Sequence, residues 1–105
     1  MYKVVWTKAA SNDLNNIIDF IAQDSIQIAL KQFQIIKETA QNLRSFPEQG
    51  RIIPELSLQN IYKFRELIIT PWRIMYKIEN KNVYVLAVID GRRNIEDILL
   101  NRQLR

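Results

Sequence analysis

Basic side chains in the second half of the chain are the residues best suited to chemistry. The 105-residue sequence carries 15 Lys and Arg against 11 Asp and Glu, a net charge of +4. Residues 61–105 hold nine of the basic and five of the acidic residues, so the whole excess of positive charge lies in this half. Guanidinium groups bind phosphates and carboxylates through paired hydrogen bonds, so this half is the expected anion-facing side. The alternative is that a pI near 9.6 only aids solubility.

Two arginines lie on neighbouring predicted strands. Side chains alternate along a strand, so Arg73 should lie on the other face of its strand from Trp72 and Tyr76. We interpret these two aromatic residues as members of the core. We expect Arg73 to meet Arg65 across the strand pair, on one side of the sheet. Its replacement should then leave stability nearly unchanged. For Arg65, an ion pair with Glu66 or Glu79 at the sheet surface is the alternative.

Three further basic residues complete the candidate binding site. Arg92 and Arg93 stand just before a predicted helix N-terminus, where backbone N–H groups also favour anions. Lys63 enters the strand that carries Arg65. Such a cluster fits an RNA backbone or an acidic peptide. A solvated turn is the alternative for Arg92 and Arg93, and Lys63 can equally be an ordinary strand-entry residue.

Several residue types are missing, and their absence narrows the chemistry. With no Cys and no His, the chain has no disulfide, no thiol or Ser-His-Asp catalysis, and no zinc site of ordinary composition. We therefore expect neither metal nor cofactor. Apolar runs such as Val83 to Ile89 are far shorter than the roughly 20 residues of a membrane span. The first residues lack the apolar segment of a signal peptide, so we expect a cytoplasmic protein without membrane contact.

Periodicity predicts the elements that position these groups. The first half should form a strand and two amphipathic helices joined by a few residues, hence an antiparallel hairpin. The strand is predicted at Lys3 to Trp6, the first helix at about Lys8 to Gln23, and the second helix after Asp24-Ser25, ending before Pro47. Its apolar face is predicted to comprise Ile26, Leu30, Phe33, Ile36, Ala40 and Leu43.

The second half reads as a loop, three strands and a helix. The loop runs from Phe46 to Asn60 and carries FPEQGR. The strands are predicted at Lys63 to Ile69, Trp72 to Ile78 and Val83 to Ile89, and the helix, capped by Asn94, at Ile95 to Leu104. The third strand is apolar on both faces, which is typical of a central strand. The predicted fold is α+β in one domain over residues 1–105: an N-terminal strand, a two-helix hairpin, a three-stranded antiparallel meander and a C-terminal helix.

The order and spacing of several short segments resemble the RelE/ParE superfamily of toxins. The segments are the helical hairpin, FPEQGR, KFREL, PWRIMYKI and VLAVIDGRRN, and together they cover nearly the whole chain. The resemblance implies a toxin of a type II toxin-antitoxin system, encoded beside an antitoxin whose flexible segment wraps and silences it.

Two mechanisms follow from the resemblance. Toxins similar to RelE cleave ribosome-bound mRNA without metal, and toxins similar to ParE poison DNA gyrase. Lys63, Arg65, Arg73 and Arg93 match the basic positions of the nuclease pattern, with the three arginines as catalytic candidates. The aromatic or histidine residue that such nucleases carry near the last helix is unmatched, because this chain reads NIEDIL there. The long helical hairpin is more similar to the ParE branch, so the sequence favours gyrase, with ribosome and mRNA as the alternative target.

Overall fold

The first half of the chain forms the predicted strand and hairpin because its caps and apolar spacing agree. In the computed structural model, the Thr7 hydroxyl accepts the Ala10 N–H at 3.2 Å and caps the first helix. The Ser25 hydroxyl accepts the Ile28 N–H at 3.2 Å and caps the second. The predicted first helix is confirmed to within one residue at its C-terminal end, since it ends at Ala22 rather than Gln23.

The structure describes residues 1–91 together with Ile95, Ile98 and Arg102. Its elements, in chain order, are β1 (Lys3–Trp6), α1 (Lys8–Ala22), α2 (Ile26–Gln41), a 3₁₀ turn (Asn42–Arg44), β2 (Arg51–Ile52), α3 (Pro54–Ser57), β3 (Phe64–Ile69), β4 (Trp72–Glu79) and β5 (Asn82–Asp90). The α+β architecture and the antiparallel meander are confirmed. The predicted C-terminal helix, including its cap at Asn94, lies mostly outside the described residues.

The strands form one five-stranded sheet in the order β1-β5-β4-β3-β2. β1 pairs with β5 in parallel, and the other pairs are antiparallel. The prediction of β5 as the central strand is wrong in detail, because β4 occupies the middle position. β5 is nevertheless paired on both sides and buried over most of its length, which explains its apolar run.

The segment between α2 and β3 was predicted as a loop without regular structure, and this is only partly correct. It contains the two-residue strand β2 and the single-turn helix α3. Elements this short are below the length at which hydrophobic periodicity is visible in a sequence. α3 begins with Pro54 at its first turn, where the missing N–H costs nothing.

Each face of the sheet carries its own apolar core. One core joins α1 and α2 to the helix-covered face, with Leu14, Ile36, Ile74 and Tyr76 among its members. The other covers the opposite face, where α3 and neighbouring residues pack on the strands; its members include Leu56, Phe64, Met75, Leu86 and Ile95. The sheet is therefore covered on both faces, and this decides where its charged residues lie.

Within the described part of the chain, no helix combines the length and the apolar character needed to cross a lipid bilayer.

Candidate functional site

Arg73, on β4, is buried among carboxylates. Its side chain is only 8% exposed. Two of its guanidinium nitrogens donate to the Glu66 carboxylate at 2.6 and 2.9 Å. The terminal nitrogens also donate to both Glu55 oxygens at 2.8 and 2.9 Å. The planar fork of arginine thus serves two carboxylates at once, an arrangement that a lysine cannot reproduce.

Glu66 is the fully buried member of this network, so the network contributes to the stability of the fold. Its side chain is 0% exposed, and it lies on the neighbouring strand β3, on the same face as Arg73. Arg51 adds a third arm, because its Nε donates to Glu66 at 2.7 Å while its side chain stays 58% exposed. A buried carboxylate requires such partners, since leaving it unpaired is costly.

The ionisation of the network follows from these contacts. The hydrogen bonds from Arg73 lower the pKa of Glu55 to about 2. The hydrogen bond to Glu55, together with those to Glu66, raises the pKa of Arg73 above its already high value. Arg73 therefore stays charged and paired throughout the physiological range. The expectation that its replacement would leave stability unchanged assumed an exposed side chain, and the Arg73 side chain is buried instead.

Arg65 does not meet Arg73, so that prediction is wrong. The register pairs Arg65 with Tyr76 and Arg73 with Ile68, which places the two arginines on opposite faces of the sheet. The Arg65 guanidinium donates to the Gly50 carbonyl at 2.7 Å and, at 3.4 Å, to that of Glu48. The alternative ion pair with Glu66 or Glu79 is not formed either, because Arg73 and Arg51 bind Glu66 and Lys77 binds Glu79.

Tyr76 binds the FPEQGR segment, which Arg65 also contacts, from inside the core. Its hydroxyl donates to the Pro47 carbonyl at 2.8 Å and accepts the Gly50 N–H at 2.9 Å. Burial raises the pKa of this phenol, so it remains a neutral donor. A Cβ on Gly50 would lie 2.6 Å from both the Tyr76 hydroxyl and the Glu66 carbonyl oxygen. Only glycine therefore fits at position 50. The FPEQGR segment is held in place by hydrogen bonds from both Tyr76 and Arg65. Tyr76 is confirmed as a packing residue.

The remaining candidates are either exposed or outside the described residues. Lys63 is exposed, with its Nζ 5.3 Å from the ring centre of Phe64. Arg92 and Arg93 lie outside the described residues. The basic cluster expected from Lys63, Arg65, Arg73, Arg92 and Arg93 is therefore not assembled as a whole, because Arg65 and Arg73 lie on opposite faces of the sheet. In the part of the chain that the structure describes, no group of three acidic residues lies close enough to hold a metal ion.

An apolar surface at the tip of the helical hairpin was missed by the sequence analysis. Ile26 and Leu30 were predicted on the buried face of α2, yet they are 67% and 63% exposed, so this part of the prediction is wrong. Phe20 on α1 is 69% exposed and Ile28 is 57% exposed. We call these four residues the hairpin tip. The amphipathic spacing was visible in the sequence, but nothing in it showed that the sheet leaves this end of the helices uncovered.

Comparisons with known proteins agree with this architecture. The chain is similar to Toxin ParE3 of Caulobacter vibrioides, at 27% identity over 96 residues that cover 90% of this chain and 92% of that protein. It is also similar to Toxin RelE2 of the same organism, at 32% identity over 94 residues, covering 89% and 99%. Among solved structures, a chain of the chromosomal ParDE TA system from P. aeruginosa matches with a TM-score of 0.70 and 25% identity, covering 86% of this chain and 96% of that one.

A sequence model of one family spans most of the chain. It is described as the ParE toxin of the type II toxin-antitoxin system parDE, and it matches residues 4–95. The matched span contains the hairpin, β2 to β5, all but the first residue of β1, and both arginine sites described above. This chain therefore belongs to the ParE toxin family of type II toxin-antitoxin systems, within the RelE/ParE superfamily.

Proposed function

We propose that this toxin arrests growth by binding DNA gyrase, and that a cognate antitoxin neutralises it. The observation that carries the proposal is the separation of the two arginines expected at a nuclease centre. Arg65 and Arg73 lie on opposite faces of the sheet, and each is engaged by groups of its own chain. Phosphate stabilisation needs cations converging on one point, so this arrangement supports a target other than an RNA phosphate.

The hairpin tip supports a protein target. Phe20, near the end of α1, and Ile26, Ile28 and Leu30, at the start of α2, are each more than half exposed. Large apolar side chains exposed together in one part of a small protein often mark sites of protein association. An RNA-binding face would instead be expected to present unpaired cations and stacking aromatics. The hairpin tip is therefore the surface that we assign to gyrase, and the proposed target places the toxin's action in the cytoplasm.

The second candidate is cleavage of ribosome-bound mRNA. Two observations favour keeping it: the 32% identity to Toxin RelE2, and the exposed Lys63, which lies at a basic position of the nuclease pattern. In that mechanism Lys63, Arg65 and Arg93 would face the phosphate, and Arg73, the fourth basic residue of the pattern, would support the fold.

Two assays on the purified toxin separate these functions. We expect inhibition of DNA supercoiling by gyrase and no cleavage of mRNA on programmed ribosomes. The opposite pattern would replace the first candidate by the second. In the gyrase assay, Leu30→Ser at the hairpin tip should reduce inhibition at least tenfold. The matched control is Leu58→Ser, since Leu58 is 86% exposed elsewhere on the surface. If both variants inhibit as well as the parent protein, the hairpin tip is not the gyrase surface.

A further inference from the structure

Three exposed cations lie along the border between β1 and the C-terminal half of α2. On α2, the Nζ of Lys37 lies 4.5 Å from the ring centre of Trp6. In the turn before β5, the Nζ of Lys81 lies 5.1 Å from the ring centre of Tyr2. Arg44 follows α2, and its carbonyl accepts the Tyr2 N–H at 3.0 Å. We call Lys37, Arg44 and Lys81, all of which are exposed, the basic strip.

The length of the basic strip follows from the strand beneath it. Tyr2 directly precedes β1 and Trp6 ends it, so their Cα atoms are about 13 Å apart at the ordinary rise of a strand. Each strand of duplex DNA carries one phosphate per about 3.4 Å of helix axis. A strip of this length, aligned with the duplex axis, therefore spans about four phosphates of one strand.

The charge of the basic strip is not neutralised by neighbouring carboxylates. Among the residues that the structure describes, the ion pairs lie elsewhere, at Asp13, Glu55, Glu66 and Glu79. Glu48 lines the groove beside Tyr2, and the Glu38 carboxylate accepts a hydrogen bond from Gln34 at 2.9 Å. The cations of the strip are therefore available to an anionic partner.

The aromatic rings beneath the lysines indicate which nucleic acid the strip fits. Proteins that bind single strands stack bases on aromatic faces. Here Tyr2 and Trp6 pack against the core, and each ring has a lysine ammonium group over it. Lys37 also lies 5.9 Å from the ring centre of Phe33. The rings hold the ammonium groups in place, so less freedom is lost when they bind phosphate. The strip thus presents charge rather than stacking surfaces, which favours a duplex backbone.

We propose that the basic strip binds the phosphate backbone of duplex DNA. The inference rests on the proposed function, because it makes the DNA bound to gyrase a second contact of the toxin. The two surfaces are separate on α2: Leu30 of the hairpin tip lies in its first half, Lys37 in its second half, and Arg44 beyond its end. Contacts to phosphates carry no base information, so the binding has no sequence preference.

Direct binding to DNA, without gyrase, tests the strip. The probe is a short labelled duplex oligonucleotide, titrated with purified toxin by fluorescence anisotropy between about 50 and 200 mM salt. Lys37→Gln and Lys81→Gln should each lower the slope of log affinity against log salt by about one, because one phosphate contact is lost. Lys31→Gln is the matched control, since Lys31 is exposed on another side of α2 and its loss removes the same charge. Equal slopes for Lys37→Gln and Lys31→Gln overturn the inference.

Two further comparisons isolate the chemistry. Lys37→Arg keeps the charge and should bind the duplex like the parent protein, whereas binding as weak as that of Lys37→Gln would overturn the electrostatic account. A single-stranded RNA of the same sequence should bind more weakly than the duplex, because its charge density is lower and the rings are covered. Tighter binding of the RNA would overturn the assignment to duplex DNA and support the second candidate function.

The supercoiling assay connects the strip to the target. Lys37→Gln should raise the toxin concentration needed for half-inhibition of gyrase at least about threefold, and Lys31→Gln should leave it unchanged. If the parent protein inhibits gyrase and Lys37→Gln inhibits it equally well, the inference fails and the proposed function stands. If the parent protein does not inhibit gyrase, the proposed function fails, and the salt dependence of direct DNA binding still decides whether the strip binds DNA.

Discussion

The arginines on the two faces of the sheet, Arg73 and Arg65, have different partners. On the face covered by α3, Arg73 is enclosed between the buried Glu66 and the half-exposed Glu55. On the helix-covered face, Arg65 reaches neutral carbonyls at Gly50 and Glu48. Removing one member of an ion network leaves an unpaired buried charge, whereas a carbonyl that loses its donor can accept a hydrogen bond from water. Two arginines on adjacent strands should therefore differ several-fold in their importance for stability.

The largest effect is expected from Arg73→Ala. It leaves Glu66, whose side chain is 0% exposed, without its main partner. Breaking a buried pair by removing one member costs about 3–5 kcal/mol, so the variant should unfold at much lower denaturant. Chemical denaturation measures this. The control is Arg51→Ala, which removes the exposed arm of the same network and should cost no more than about 1 kcal/mol. Equal losses for the two variants would refute the ranking.

Tyr76→Phe probes the clamp on the helix-covered face. The ring stays in place, but the Gly50 N–H and the Pro47 carbonyl lose their partner inside the protein. Unsatisfied buried groups cost about 1–3 kcal/mol, so the free energy of unfolding should fall by that amount. Tyr62→Phe is the control, because the Tyr62 hydroxyl makes an exposed contact with Asn60 and its loss should cost less than about 0.5 kcal/mol. Thermal unfolding that is unchanged in both variants would show that Tyr76 does not hold the loop.

Arg65→Ala should have a smaller effect than either. It removes the donor to the Gly50 and Glu48 carbonyls, which can then bind water, so we expect a loss of about 1 kcal/mol. The control is Lys63→Ala, just before the same strand, expected within about 0.5 kcal/mol of the parent protein. A loss for Arg65→Ala as large as that for Arg73→Ala would remove the contrast between the two faces.

The smallest effect is expected for the dependence of stability on low pH, through Glu55. Contacts with Arg73 lower the pKa of Glu55 from 4.5 to about 2 in the folded chain. A lowered folded pKa means that the stabilisation is fully present above the unfolded value of 4.5 and is lost as pH falls toward 2. Because the Glu55 side chain is 42% exposed, solvent screening keeps the effect modest. Denaturation between pH 5 and about pH 2 should show a shallower decline for Glu55→Gln. A parallel decline would indicate that other carboxylates dominate.

Much of the fold was predictable from local patterns. Thr7 and Ser25 cap the two long helices, because a hydroxyl just before an apolar-periodic stretch satisfies free N–H groups locally. Alternation correctly put Arg73 and Trp72 on opposite faces of β4, since side-chain direction follows from the backbone alone. The family was also recognisable, because its short segments occur in order over nearly the whole length.

The candidate site was predicted less well, for a physical reason. Alternation tells which face a side chain occupies but not whether that face is covered. Arg73 is buried because α3 and the second core lie over it, and those elements carry no visible period. Register decided that Arg65 pairs with Tyr76 rather than facing Arg73, and a shift of one residue would have reversed this.

What the sequence determined by itself is therefore local and periodic: the caps, the approximate bounds of the long helices and strands, and the apolar faces that must be buried somewhere. What only the tertiary structure decided is which surfaces meet. The pairing of β1 with β5, the burial of Glu66 and the exposure of Ile26 and Leu30 all depend on contacts between residues distant in sequence. Such contacts depend on the position of the whole sheet, because burial is a property of what lies opposite a residue and not of the residue itself.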